Sequence, residues 1–191
     1  MCLSGALHMQ DVRRQTFMPF RALILRAILY LLLATVSPAW ADTMSGIVIV
    51  VIDGDTVLFK PDSPYRAGAH GAVSRAFLKI RLANIDAPEK DQPYGEAATR
   101  ELSALVLNQR VQLDTVATDV YGRTIALIQL GSMQVNTELV RRGLAWASAF
   151  HRKPALLVMQ RDAQHASRGL WRENAPVPPW IWRHEHSAVV H

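Results

Sequence analysis

The chain has 191 residues, half of them hydrophobic, with 21 basic and 16 acidic residues and a single cysteine. That length supports one well-buried domain and is too short for two comfortable ones once the ends are processed. One thiol excludes a disulfide scaffold and a cysteine-rich zinc site, so stability has to come from a hydrophobic core.

Taken in chain order, the first feature is a leader. Arg13, Arg14 and Arg21 precede "AILYLLLATV", Ala27 to Val36, an uncharged run well short of the roughly 20 apolar residues a spanning helix needs. It fits a secretory h-region, and Ala39-Trp40-Ala41 supplies the small-x-small pattern cut by signal peptidase. The expected organisation is a signal peptide with a long n-region over residues 1–41, a domain over 42–174 and a Pro/Trp-rich tail over 175–191. Removal of the leader takes away four of the 21 basic residues and one of the 16 acidic ones, leaving 17 against 15 and a net charge of +2 rather than +5. Bulk charge is then a weak argument for nucleic acid, and local patches must carry it. Cys2 leaves with the leader, which excludes thiolate metal ligation and a cysteine nucleophile. The mature chain is expected to be secreted or periplasmic, without stable membrane association.

From Gly46 to Phe59 two runs of apolar and β-branched residues meet at Asp53-Gly54, a dipeptide favoured where a tight hairpin needs positive φ. "PDSPYRAGAHGAVS", Pro61 to Ser74, has no periodicity and reads as loop. A third strand, "AFLKIRLANI", ends at "DAPEKDQPYG", where Pro88 and Pro93 force an irregular segment. "EAATRELSALVLN" places Ala98, Leu102, Leu105 and Val106 on one helical face. "RVQLDTVATD" and "GRTIALIQL" read as two more strands joined through Asp119-Val120-Tyr121-Gly122. Asn136 to Arg142 forms a short helix closed by Gly143, and Pro154 opens a last helix ended by Gly169, with Leu157, Arg161, Gln164 and Arg168 on one face. This order predicts an α+β fold: a five-stranded OB-type Greek-key β-barrel with about three α-helices, preceded by a signal peptide.

Polar groups gather at element ends: Asp53 with Asp55, Arg81, Asp86 with Glu89, and Asp119 with Arg123. Asp55, Asp86 and Glu89 would offer three hard carboxylates, a donor type suited to Ca²⁺ with its about six to eight oxygen ligands. Taken alone, three acids on loops are more often solvated turn residues. Arg81 sharpens the reading, because a guanidinium inside an apolar strand is costly unless an anion meets it. Arg123 is of the residue type that clamps phosphate oxygens with two donors.

"VIDGDTV", "IRLANIDAPE", "YGEAA", "DVYGR" and "VNTELVRRGLA" resemble, in this order, the motifs of the staphylococcal nuclease-like (thermonuclease) family, from about Gly46 to Trp171. The resemblance implies an OB-type barrel and Ca²⁺-dependent hydrolysis of DNA and RNA phosphodiesters with low sequence specificity. It implies Asp55, Asp86 and the backbone carbonyl of Ala87 as metal ligands, Glu89 near the attacking water, Arg81 and Arg123 on the scissile phosphate, and Tyr121 as a substrate contact. Asp53 and Asp119 are left between supporting and purely structural roles. The chain departs from the family at Val120, where a lysine can stand, and at Ala149 and His151, where tyrosines can wall the nucleotide pocket; Phe150 is the available substitute. His184 and His186, flanking Glu185, read as solvated, and Trp146, Trp171, Trp180 and Trp182 as packing residues, the last two holding an extended tail on the barrel. A monomer acting on DNA and RNA is expected. The rivals are a catalytically silent OB-type module binding single-stranded nucleic acid, which would have lost ligands or arginines, and an envelope-tethered interaction protein with an uncut leader.

Overall fold

The computed structural model describes residues 43–67, 72–150 and 153–186. The leader and its cut after Ala41, His151 and the last five residues lie outside that range. Strand β1 (Thr43–Asp53) is long enough to serve two neighbours. Its first half pairs antiparallel with β7 (Arg110–Thr118), from Thr43↔Asp114 to Ile47↔Arg110. Most of its length also pairs with β2 (Thr56–Pro61), from Gly46↔Pro61 to Asp53↔Thr56, with irregular register between Val48 and Val50 and between Val51 and Asp53. Irregularities of this kind bend a strand and sharpen its twist, which a small barrel requires.

The circuit closes through β5 (Leu78–Leu82) and β8 (Thr124–Leu130). β2 pairs antiparallel with β5, β7 antiparallel with β8, and β5 parallel with β8 at Ile80↔Thr124, Arg81↔Ile125 and Leu82↔Ala126. The result is a closed five-stranded barrel in the order β5-β2-β1-β7-β8, extended at one edge by β9 (Met133–Gln134). Closure leaves the barrel strands without an unpaired edge. Alternate residues of the strands fill the interior: Val48, Val57, Phe59, Ile80, Val111, Leu113 and Ile128 are buried.

Helix α1 (Gly95–Val106) covers the barrel with Ala98, Leu102 and Val106, three residues of the face its spacing predicts. Helix α2 (Val135–Arg141) buries Val135, Asn136, Leu139 and Val140, and Gly143 follows it at φ 71, as expected. Asn136 is the buried polar residue of that helix. Its Oδ1 accepts the Ile128 N–H at 2.9 Å, and its Nδ2 donates to the carbonyls of Ala83 (2.9 Å) and Ala126 (3.2 Å), which ties α2 to the β5–β8 seam.

Four expectations are corrected. The β1–β2 corner has Gly54 and Asp55 as its central residues, and neither takes positive φ. Gly54 is required for close approach instead: a Cβ there would lie 2.7 Å from the Cβ of Ala87 and 2.8 Å from that of Ala98. The segment read as loop carries a small hairpin, β3 (Tyr65–Ala67) with β4 (Ala72–Ser74), whose three-residue strands are too short to show alternation. Helix α3 (Pro154–His165) starts at its proline but stops before Gly169, and it buries Leu156 and Ala163. A single 3₁₀ turn follows at Gly169–Arg172.

Finally, the tail is not extended. Pro179–His186 forms a further helix, α4, with proline at its first position, where a missing N–H costs nothing. Two two-residue strands, β6 (Ile85–Asp86) and β10 (Trp146–Ala147), pair with each other through Trp146↔Asp86. Trp146 meets Trp171 edge to face, with centroids 5.1 Å apart, so these two tryptophans pack as expected. Among the described residues no helix is long and apolar enough to cross a membrane.

Candidate active site

The β1–β2 corner is shaped by its own acids. Asp53 Oδ1 accepts the Asp55 N–H at 3.0 Å, an Asx-type bond that turns the chain and leaves Asp55 buried at 6 % exposure. Asp55 Oδ2 then accepts the Ala87 N–H at 2.8 Å, and Oδ1 accepts the Thr56 hydroxyl at 3.1 Å. The corner therefore both reverses the chain and fixes a carboxylate against the segment after β6.

Arg81 is brought alongside by register, since it pairs with Thr56 across β2 and β5. Its Nη1 forms an ion pair with Asp55 Oδ2, and its Nη2 donates to Asp86 Oδ1 at 2.7 Å. A mostly buried guanidinium thus stands between two buried carboxylates, and the buried-charge problem that Arg81 posed in the sequence is answered inside the protein. Burial pushes the Asp55 carboxyl up to about 7; Arg81 and the Ala87 N–H oppose that rise, while Asp53 and Asp86 reinforce it. For Arg81, burial works to lower the pKa, but Asp55 and Asp86 outweigh it and hold the guanidinium above its ordinary value.

Arg123 is aimed by Asp119. Asp119 Oδ1 accepts the N–H groups of Tyr121 and Arg123, both at 2.9 Å, and Oδ2 accepts Arg123 Nε at 2.7 Å. Burial is the largest single influence and works against the charged carboxylate, but these bonds and the Arg123 charge together outweigh it and hold Asp119 below its usual range. The guanidinium also lies 5.5 Å from the centre of the exposed Tyr121 ring, within cation–π range.

Glu89 sits on the loop between β6 and α1, and that loop is tightly held. Gln92 Oε1 accepts the Glu89 N–H at 3.0 Å, the Gln92 N–H donates back to the Glu89 carbonyl at 3.0 Å, and a Cβ on Gly95 would lie 1.8 Å from that same carbonyl. Only glycine allows this approach. A cavity of about 600 Å³ opens over the constellation, lined by Asp55, Arg81, Glu89, Tyr121, Arg123 and Arg183 among others. A second cavity of about 310 Å³ shares Arg81, Tyr121 and Arg123 and continues over Leu82, Val116 and Ile125.

The structure thus brings Asp55, Arg81, Asp86 and Ala87 together, and it sets Glu89, Tyr121 and Arg123 around the same space. It does not gather the three acids into one cluster. Asp55 and Asp86 are linked through Arg81, and Asp86 and Glu89 through Arg183; among the described residues no group of three or more His, Cys, Asp or Glu is placed to hold a metal. Nor are the arginines unengaged, since Arg81 and Arg123 each hold a carboxylate. Internal guanidinium groups balance acids that burial would otherwise leave uncompensated. The Asp55–Asp86 pair with the adjoining Ala87 is still an all-oxygen donor set. Hard oxygen donors of this kind are the type a divalent cation such as Ca²⁺ takes, so the residue chemistry fits one.

Sequence reasoning missed Arg183, on α4, and the linking role of Gln92. The available signal for the helix was the breaker-free run "WIWRHEH" after Pro179.

The class of protein is thus a closed OB-type barrel whose rim collects arginines and acids about its cavities. The chain belongs to the staphylococcal nuclease homologue family, whose sequence model matches residues 79–173. It is similar to an Escherichia coli protein named uncharacterized endonuclease, with 38% identity over 149 residues that cover 77% of this chain and 90% of the relative. It is also similar to a Shigella flexneri micrococcal nuclease, with 33% identity over 172 residues, 83% of this chain and 91% of the relative. The Escherichia coli protein ParB aligns at 34% identity over 186 residues, 91% of this chain and 96% of the relative.

Proposed function

We propose that this chain is an exported, Ca²⁺-dependent nuclease that hydrolyses phosphodiester bonds of DNA and RNA with low sequence specificity. The observation that carries the reading is the buried Asp55–Arg81–Asp86 bridge, whose Asp55 and Arg81 line a cavity together with Arg123, Tyr121 and Glu89. Membership of a nuclease family and relatives named as endonucleases support it.

Asp55, Asp86 and the Ala87 carbonyl would hold the cation, whose charge would stabilise the phosphoryl oxygens. The remaining work falls to the chain's own side chains. Asp119 takes Arg123 Nε, so the Nη pair is what Arg123 presents to a phosphate oxygen, as a fork with fixed geometry. Arg81, locked by Asp55 and Asp86, contributes fixed positive charge at the cavity wall without having to reorganise. Glu89, on its immobilised loop, orients the attacking water and accepts its proton as the new P–O bond forms and the bond to the leaving sugar oxygen breaks. Exposed Tyr121, beside Arg123, contacts the substrate, and the adjoining apolar cavity suits the flat face of a base.

The test is incubation of the purified chain with linear DNA, circular DNA and RNA, with Ca²⁺, Mg²⁺ or chelator. Cleavage of circular as well as linear DNA that requires Ca²⁺ is expected; binding without cleavage under every condition would leave the silent OB-type module as the reading. Export is tested separately by the intact mass of the secreted form, expected to begin at Asp42.

A further inference from the structure

The site contains a residue that the family resemblance does not supply. Arg183 lies beyond the matched segment, residues 79–173, on the eight-residue helix α4. Its Nη2 donates to Asp86 Oδ2 at 2.9 Å and its Nη1 to Glu89 Oε1 at 2.5 Å, with a longer contact of 3.3 Å from Nη1 to Asp86 Oδ1. One planar fork therefore sets the Glu89 carboxylate relative to Asp86, and Asp86 is itself fixed from its other side by Arg81.

The approach of α4 is also built in. Gln92, buried at 6 % exposure, spends both ends of its amide on this junction: Oε1 takes the Glu89 N–H, and Nε2 donates to the Val177 carbonyl at 2.5 Å, just before α4. Trp182, next to Arg183, lines a small cavity of about 40 Å³ together with Tyr94, Trp146 and Leu170, and Pro179 is buried. The loop that carries Glu89 and the segment that carries Arg183 are thus joined twice, once through a backbone-directed amide and once through the two charged side chains.

We propose that Arg183 is a positioning residue of the phosphodiester-hydrolysing site, holding Glu89 where it meets the attacking water. The inference rests on the nuclease reading. A guanidinium in this place also adds a fourth cation to a cavity already walled by Lys79, Arg81 and Arg123, but its contacts are to Glu89 and Asp86, so its effect should pass through Glu89.

The experiment measures kcat and KM separately for the parent, Arg183→Ala, Arg183→Lys, Glu89→Gln and the double variant Arg183→Ala/Glu89→Gln, each after its melting curve is matched to the parent. Displacing a reacting group by about 1 Å can cost about 100-fold, so Arg183→Ala should lower kcat by about that factor while KM stays within about threefold. Arg183→Lys, which retains charge and reach but not the fork, should recover part of the loss and keeps the test open if the alanine variant unfolds. In the Glu89→Gln background the same Arg183→Ala change should alter kcat by less than about threefold, because the proton-accepting carboxylate that Arg183 positions is already gone. An equal loss in both backgrounds would overturn the proposal, since Arg183 would then act independently of Glu89. A higher kcat in Arg183→Ala would overturn it too, showing that α4 restrains the site. Cleavage by the parent with an unaffected Arg183→Ala sinks this inference alone; no cleavage by the parent with any cation sinks the nuclease reading and the inference with it.

Discussion

Replacing Asp55 with Asn isolates the electrostatic cost built into this site. The substitution preserves shape: the amide oxygen can keep the Ala87 N–H and the Arg81 contact, and the amide nitrogen can donate to the Thr56 hydroxyl oxygen. What it removes is a carboxyl whose pKa burial lifts from 3.8 to about 7. A folded-state value above the unfolded one means that the folded protein holds the proton longer. The associated stability is fully present below the unfolded value near 3.8 and is lost as pH rises through about 7. At about 1.36 kcal/mol per unit, a shift of roughly three units bounds the loss at about 4 kcal/mol. In chelator, the metal-free parent should therefore fall progressively behind Asp55→Asn between about pH 4 and about pH 8, by up to that amount. Denaturant unfolding of both proteins across this range measures the difference, and subtraction cancels the other carboxylates. A pH-independent difference, or a parent that gains on the variant as pH rises, would refute the reasoning and show that Arg81 outweighs burial at Asp55. Added Ca²⁺ should restore stability to the parent and leave the variant unchanged, a readout independent of catalysis.

Arg123→Lys keeps the charge but loses the two-pronged donor, so kcat should fall by about two to four orders of magnitude with a far smaller change in substrate affinity, read by steady-state kinetics and equilibrium binding in chelator. Asp119→Ala removes the acceptor of two backbone N–H groups and of Arg123 Nε; cleavage should drop by about 10- to 100-fold with only a small loss of melting temperature, since the turn is exposed. Asn136→Ala leaves the Ile128 N–H and the Ala83 carbonyl without their buried partner and should destabilise the fold by about 3 kcal/mol or more, measured by denaturant unfolding.

What the sequence discloses and what it hides divides along contact distance. Asp53, Gly54 and Asp55 announce a corner through local turn chemistry, and alternation over β1, β2, β5, β7 and β8 announces the barrel. Arg81, alone in an apolar strand, announces that an anion must meet it. The β3–β4 hairpin is hidden because three-residue strands carry no period. The reason for glycine at position 54 is hidden because it lies in Ala87 and Ala98, residues distant in sequence. Arg183 is hidden most deeply: its partners Asp86 and Glu89 are 97 and 94 residues away, and nothing in "WIWRHEH" distinguishes a docked guanidinium from a solvated one.

The same division explains how the site is assembled. Asp55 and Asp86 are buried within the closed barrel's rim, and a buried carboxylate is costly unless a cation meets it. The chain counters that with cations from two places: Arg81, delivered by the register of β5 against β2, and Arg183, delivered by a helix that follows the barrel in sequence. The first is fixed by the fold shared with the family, while the second depends on how the C-terminal segment docks through Gln92, Trp182 and Pro179. Charge balance at the buried acids is therefore divided between the barrel and a peripheral helix, so one of the cations that meet Asp86 comes from a segment beyond all the recognisable motifs.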